Sequence, residues 1–564
     1  MSQMDSYLYD LSLKQESSAG GPMIEKEVLY ATDSNGGSYN GQIQLDTAIL
    51  SNSGRWLAYS EAYLEIPFVM SLQSNTDITG GSLSHGFMQG LKSGNWQIID
   101  SIQVDLNNTN VVQLQPYTNF YCSYKAMSTW SLNDLAKYGQ ILGMAPDTAG
   151  SGSFAVAAAA CGNGYSNNVV ANPPAVFNPL IWSTTSGDLY NAGFLKRLQA
   201  TSYPLSTNNT GYGVNGLIVS MTSASQANLV SKSYFSDNAG VAAARIYQWV
   251  MMLTIRLKDL ADFFDKIPLM KGAFLRFTIN YNSCQSVVTA LAAGPSLLQA
   301  VPTMYSGRTN PMMMASSLAN NPMNLAVAGG NATFTSQCGV GKTPTSILTP
   351  AISSVRLYVP SYTLNPVMEE AYLSVQREKQ IVYNDIYNYN ITGVGSGVSF
   401  NQILTNGLAD VQQLVVIPFY NNAANNAATL SINPYQSIFD PAPATTSPLA
   451  AISQFNVQLS GKNVFQQNQQ YDFEQFMNEM APTGSINGGC SVGLSSGLLG
   501  RWEWDNLYRY YVCDLSRRIP SEDRVPKSVQ VLGLNNTAKI MDYICFIIFS
   551  RSIRVDLVTG SIIG

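Results

Sequence analysis

The chain repeats itself at a fixed distance. Glu25-Lys26-Glu27-Val28-Leu29-Tyr30 returns as Glu378-Lys379-Gln380-Ile381-Val382-Tyr383, an offset of 353 residues. Ile66-Pro67-Phe68 returns as Ile417-Pro418-Phe419, an offset of 351. Ile99, Val104, Leu106, Asn110, Val111, Gln113, Phe120 and Met127 meet the same residue type 353 positions on, at Ile452, Val457, Leu459, Asn463, Val464, Gln466, Phe473 and Met480. A period this long is a duplicated domain, because solenoid repeats run about 20–50 residues. Whatever unit the first half specifies is therefore built twice.

The unit reads as β. Residues 55–70, RWLAYSEAYLEIPFVM, alternate, with Trp56, Ala58, Ala62, Leu64 and Ile66 on one face and Tyr59, Glu61, Tyr63 and Glu65 on the other. Period two with one mixed polar face predicts a half-buried strand. Ile102, Val104 and Leu106 alternate with Gln103 and Asp105, then Asn107–Asn110 turns the chain before Val111-Val112. The second copy matches: Phe455, Val457 and Leu459, the turn Ser460-Gly461-Lys462-Asn463, then Val464-Phe465. Both are hairpins with suitable turn residues. Helical periodicity is brief: a helix opened by Ser131 through Leu135, Tyr138 and Leu142, another marked by Leu257, Leu260, Ala261 and Phe264, and a third from Phe473 to Met480. Many strands, short helices and frequent Gly, Asn and Pro turns predict an all-β chain of two tandem jelly-roll β-sandwiches.

The copies differ in their insertions. From Met127 to the strand of Leu253–Leu257 takes about 130 residues, whereas Met480 to its counterpart Tyr510–Leu515 takes about 35. The excess lies near 145–235 and 284–350, rich in Gly, Ala, Ser, Asn and Met, and loops this long are uncommon unless they function in contacts. The expected division is an N-terminal arm at 1–24, a first roll at 25–367 carrying both insertions, and a second roll at 368–564.

Composition narrows the function. Charged residues are only 12% of 564, against about 25% in typical soluble proteins. Such a surface suits large neutral contacts, since few charges must be desolvated when surfaces meet. A net charge of −5 argues against a sequence-specific nucleic-acid binder. The basic stretch Arg501, Arg509, Arg517, Arg518, Arg524 and Lys527 is interrupted by Glu503, Asp505, Asp514, Glu522 and Asp523, which predicts a salt-bridged or solvated strand edge. Seven scattered cysteines (122, 161, 284, 338, 490, 513 and 545) form no CxxC pair and read as packed thiols of a reducing compartment. The opening MSQMD shows no signal-peptide pattern, and apolar runs such as Tyr543–Phe549 are too short for a transmembrane segment. The sequons at Asn331 and Asn535 are accordingly expected to stay unmodified.

Chemistry is hard to place. The single histidine, His85, cannot build a cupin-type metal site, which needs several His and a carboxylate. No Gly-x-Ser-x-Gly elbow stands out, and Gly339-Val340-Gly341-Lys342-Thr343 lacks the first glycine of a phosphate loop. Glu369-Glu370 and Glu522-Asp523 are adjacent carboxylates, which point apart on a strand. The reading is no catalytic, cofactor-binding or metal residues, and no enzyme.

REKQIVYNDI, VIPFYNN, FNVQLSGKNVF, GLLGRWEWDNLYRYYVCDLSRRIPSEDRVPKSVQVLGLNNT and YICFIIFSRSIRVDLVTGSI in the second copy resemble segments of the major capsid proteins of virophages and polinton-like viruses. IRLKDLADFFDKIPLMKGAFLRFTINYN and SVRLYVPSYTLNP in the first resemble late first-roll strands of that double-jelly-roll lineage, which includes adenoviruses and tailless phages. The resemblance implies a virion structural protein of a dsDNA virus, assembled inside the infected host cell. It implies a homotrimer whose six rolls form a pseudo-hexagonal capsomer tiling an icosahedral capsid. Neighbouring capsomers, penton and minor capsid or cement proteins would be its partners. The alternative from another class is a duplicated β-sandwich carbohydrate-binding or host-recognition spike, for which the 31 Tyr and 7 Trp offer stacking platforms. A glycosidase would need a carboxylate pair that nothing in the sequence selects.

Overall fold

The computed structural model describes residues 23–74, 87–147, 245–290, 309–316, 332–341, 354–375, 377–421, 450–484, 497–516, 525–537 and 540–563, with short pieces between them. Residues 1–22 of the arm expected at 1–24, His85, most of the 145–235 insertion, and Arg517, Arg518, Glu522, Asp523 and Arg524 lie outside the described residues, and Met23 and Ile24 begin β1.

The first copy contains β1 (Met23–Thr32), β2 (Gln42–Asp46), β3 (Tyr63–Ser74), β4 (Ile99–Leu106), β5 (Thr109–Val112), β6 (Arg245–Arg256), β7 (Leu275–Tyr281), β8 (Cys284–Ala290), β9 (Ala332–Val340) and β10 (Arg356–Leu364). The second contains β11 (Glu378–Val394), β12 (Ser399–Leu408), β13 (Val411–Tyr420), β14 (Ile452–Leu459), β15 (Lys462–Asn463), β16 (Tyr511–Asp514), β17 (Lys527–Asn535) and β18 (Met541–Asp556). One sheet of the first copy runs β1-β10-β3-β6 and the other β2-β7-β4-β5. The second copy runs β11-β18-β13-β16 and β12-β17-β14-β15. With β8 and β9 set aside as insertions, both copies have the strand order 1-8-3-6 and 2-7-4-5, all antiparallel. Two four-stranded sheets in this order are a jelly roll, and the chain is a double jelly roll.

Local chemistry explains the register. The β4–β5 turn places Asn107 and Asn108 at φ 46° and 66°, and the β14–β15 turn places Ser460 and Gly461 at 50° and 80°. Two successive left-handed residues define a type I′ hairpin, whose twist matches that of the strands it joins. The same turn thus recurs at the 353-residue offset. Inward residues Ile102, Val104 and Leu106, and Phe455, Val457 and Leu459, are all buried.

The strand expected over 55–70 is broken. Trp56–Leu57 pairs with β10, a 3-10 turn covers Tyr59–Glu61, and β3 starts only at Tyr63. Tyr59 is fully buried rather than on the polar face, its hydroxyl 3.2 Å from both Thr47 Oγ1 and the Ala273 carbonyl. That internal bonding satisfies the hydroxyl and lets the ring enter the core.

The longer helices among the described residues are α1 (Thr118–Thr129), α2 (Leu132–Tyr138), α3 (Pro366–Val375), α4 (Phe473–Gly484) and α5 (Arg501–Asn506). A capping box starts α2, where Asp134 N–H donates to Ser131 Oγ and Ser131 N–H to Asp134 Oδ2. It ends at Tyr138, so Leu142 lies beyond it. The helix expected around Leu257–Phe264 is two single turns, Leu257–Leu260 and Phe263–Lys266, separated by an extended Ala261.

Within the 284–350 insertion the described residues form strands. β8 pairs β9, and β9 pairs Phe68–Ser74 of β3, on the edge that β10 occupies at Tyr63–Glu65. Met312–Ser316 pairs with Phe87–Leu91 in a separate ribbon. From the 145–235 insertion, Arg197 is buried and donates to Asp147 Oδ1 at 2.6 Å.

Candidate functional site: the joint between the rolls

Groups distant in sequence meet at a seam where the first roll rests on the second. Helix α1 forms its centre, and ten of its twelve residues are buried. Phe120 meets Phe419 at 5.0 Å between ring centroids, Tyr121 meets Phe546 at 5.8 Å, and Tyr124 meets Tyr510 edge-on at 5.2 Å. Offset and edge-on aromatic pairs of this kind contribute about 0.5–1.5 kcal/mol each beyond the area they bury. Tyr124 Oη lies 3.1 Å from Met480 Sδ, and the Met127 carbonyl accepts from Leu498 N–H at 2.8 Å.

Polar groups close one side of the seam. Tyr383 donates its hydroxyl to the Val111 carbonyl at 2.6 Å. The Arg551 guanidinium bridges the Val111 carbonyl (3.1 Å), the Asn110 carbonyl (2.9 Å) and Asp385 Oδ2 (2.8 Å). Asp385 also accepts from the Gln113 and Ile386 N–H groups. Burial raises the Asp385 pKa above the usual carboxylate range, opposed by Arg551 and these N–H groups. Asn384 N–H donates to Asp262 Oδ2 at 2.9 Å, and Asn388 N–H to Gln115 Oε1 at 3.2 Å. The chain end adds a clasp: Lys271 N–H donates to the Leu557 carbonyl, and Gly560, at φ 66°, lies against Ala273 where a Cβ would approach its Cα to 2.6 Å.

The residues singled out in sequence do not converge on this seam. Glu369 and Glu370 lie on helix α3 rather than a strand, and Glu369 is ion-paired with Lys271. Gly339 and Val340 are the last residues of β9, opposite Val69 and Phe68. The basic stretch begins in helix α5, not at a strand edge, where Arg501 pairs with Glu474 at 2.9 Å and Arg509 stacks over Trp504. Asn535 is fully buried and donates to the Val394 and Gly395 carbonyls, so its sequon is closed in the folded chain. Cys122, Cys284, Cys338, Cys513 and Cys545 are buried free thiols. No group of three or more His, Cys, Asp or Glu that could hold a metal occurs among the described residues. No helix among them is long and apolar enough to cross a membrane. The seam arrangement holds the two rolls together through aromatic packing and a polar network around Arg551.

Sequence reasoning did not assign the seam residues, yet the repeat had marked several of them. Asn110, Val111, Phe120 and Met127 echo at 463, 464, 473 and 480, and Tyr383 echoes Tyr30.

No family model matches the chain, and no curated protein matches its sequence. Solved structures do share its fold. A chain in the cryo-EM structure of the Sputnik virophage superposes with a TM-score of 0.54 at 10% identity, covering 98% of this chain and 91% of that one. The mavirus major capsid protein (TM-score 0.39, 10% identity, 97% of this chain and 92% of that one) and the Faustovirus major capsid protein (0.41, 10%, 96% and 92%) are also matched.

Proposed function

We propose that this chain is a viral major capsid protein, whose homotrimer is a pseudo-hexagonal capsomer that tiles an icosahedral shell around a DNA genome. The observation that carries the reading is the doubled roll itself, with one strand order used twice and an aromatic seam between the copies. Its likeness to a chain of a virophage particle supports the same reading. Two rolls held in one orientation supply two sides of a six-sided tile, and three chains complete it. We assign residues 1–24 to an arm, 25–367 to the first roll and 368–564 to the second; the described core strands run from Met23 to Leu364 and from Glu378 to Asp556. Capsomer contacts would use the neutral surface noted in the composition, and neighbouring capsomers, penton and cement proteins would be the partners. Negative-stain imaging of the expressed chain tests this: six-lobed tiles or closed shells are expected, and isolated two-lobed particles at high concentration would refute it.

A further inference from the structure

Two of the buried thiols meet across a strand ladder. Cys284, the first residue of β8, is the direct partner of Cys338 on β9, and this pair closes the end of their ladder. The other described cysteines face different residues: Cys513 is opposite Leu414, Cys545 is opposite Tyr389 and Val416, and Cys122 lies on helix α1. Directly opposed residues on antiparallel strands have Cα atoms about 4.5 or 5.5 Å apart, and a disulfide spans Cα separations of about 4.4–6.8 Å.

The side chains of an opposed pair leave the sheet on the same face. Neighbouring contacts identify that face. Cys284 Sγ lies 3.3 Å from Ser286 Oγ, which accepts from Asn310 Nδ2 at 3.5 Å. Ser336, directly opposite Ser286, donates to Met312 Sδ at 3.6 Å. The segment from Asn310 to Met312 therefore covers the face that carries both thiols. Burial raises the Cys284 pKa to about 11, opposed by the Ser286 hydroxyl and the Lys92 charge. Burial raises Cys338 as well; the Cys284 charge adds to that shift, and the Cys284 N–H and Lys92 oppose it. The two sulfurs thus share one electrostatic environment.

We propose that Cys284 and Cys338 form an oxidation site, which peroxide closes into a disulfide that fastens the root of the 284–350 insertion. Cys284 reacts first, because it is 9% exposed and Cys338 is fully buried. Its sulfur attacks one peroxide oxygen and the O–O bond breaks. The departing hydroxide takes the proton that the thiol has lost, leaving water and a sulfenic acid. The Cys338 sulfur then attacks the Cys284 sulfur, so that the S–S bond forms, the S–O bond breaks and a second water leaves with the Cys338 proton. The two thiols lose two electrons, and one peroxide becomes two waters. Both thiols hold their protons near neutral pH, so the bond forms slowly, and bulky disulfide reagents do not start it. Because β9 also pairs with Phe68–Ser74 of β3, the bond ties β8 to the core sheet. On the capsid reading above, it would close after the particle leaves a reducing host interior; the chemistry itself needs only the folded chain.

Peroxide treatment of the full-length protein at pH 8 tests the site, with remaining thiols alkylated in denaturant and peptides mapped by mass spectrometry without reductant. A linked pair of peptides containing Cys284 and Cys338, two hydrogens lighter than its separate parts and parted by reductant, is expected. Cys122, Cys513 and Cys545 should be recovered alkylated. In Cys338→Ser the sulfenic acid has no resolving thiol, so Cys284 should carry a dimedone adduct instead. Wild-type Cys284 recovered alkylated, or either cysteine linked to another partner, would overturn the proposal. Neither result bears on the capsomer reading, which the oligomeric state decides.

Discussion

Tyr383 places its hydroxyl 2.6 Å from the Val111 carbonyl, joining two strands that lie 272 residues apart and belong to different rolls. Arg551 shares that carbonyl at 3.1 Å. Tyr383→Phe should therefore cost about 1 kcal/mol, one buried hydrogen bond with its acceptor still served. The same change at Tyr30 should be neutral in the isolated chain. Urea midpoints of the two variants, compared with wild type at low protein concentration, check the contrast.

Arg551→Ala removes the cation from Asp385 and from two carbonyls at once. Breaking a buried pair costs about 3–5 kcal/mol, and the low end is expected because the Arg551 side chain is 25% exposed. The pH dependence of Asp385 has a definite sign. Its folded pKa is raised, chiefly by burial, so the folded state holds the proton more tightly than the unfolded chain. Its contribution to stability is full below the ordinary carboxylate range and falls as pH rises through the raised value. The stability of wild type relative to Asp385→Asn should thus decline from about pH 3.5 upward; a difference that grows with pH would contradict this.

The repeated turn gives a paired test. Gly461 sits at φ 80° with no atom near a prospective Cβ, so Gly461→Ala isolates backbone strain and should cost about 1 kcal/mol. Asn108→Gly, at the equivalent left-handed position, should be neutral or slightly stabilising. Thermal melts of both variants would reveal the opposite signs.

The thiols should be silent. Burial pushes the Cys284 pKa up to about 11 and the Cys122 pKa up to about 12, and Cys338 and Cys545 are shifted the same way. A thiol-disulfide reagent at pH 8 should titrate none of the five described cysteines until denaturant is added. Rapid labelling of Cys122 or Cys284 in the native protein would show that their sites open.

Much of the architecture was legible because it is local. Alternation at Ile102–Leu106 and at Phe455–Leu459, with Asn or Gly turns after each, specifies both hairpins without long-range information. Helix α4 was legible too. Helix α1 was not, and the reason is its burial on nearly every side: TNFYCSYKAMST has no polar stripe, and Tyr117 precedes it in a left-handed conformation with no side-chain cap. Helix α3 carried a signal in Asn365-Pro366, where Asn365 Oδ1 accepts from Val367 N–H, but adjacent glutamates read there as strand residues. The 3-10 turn at Tyr59–Glu61 hides inside a clean alternation because tertiary bonds from Thr47 and Ala273 override local pattern. The seam needs both rolls in place, so only the echo pointed toward it.

The central claim is that the repeat builds a tile from three chains. Native mass spectrometry of the purified full-length protein across a concentration series measures this most directly. The account predicts a species of three 61.1 kDa chains that gains population with concentration and assembles further. A single 61.1 kDa species at every concentration would contradict it.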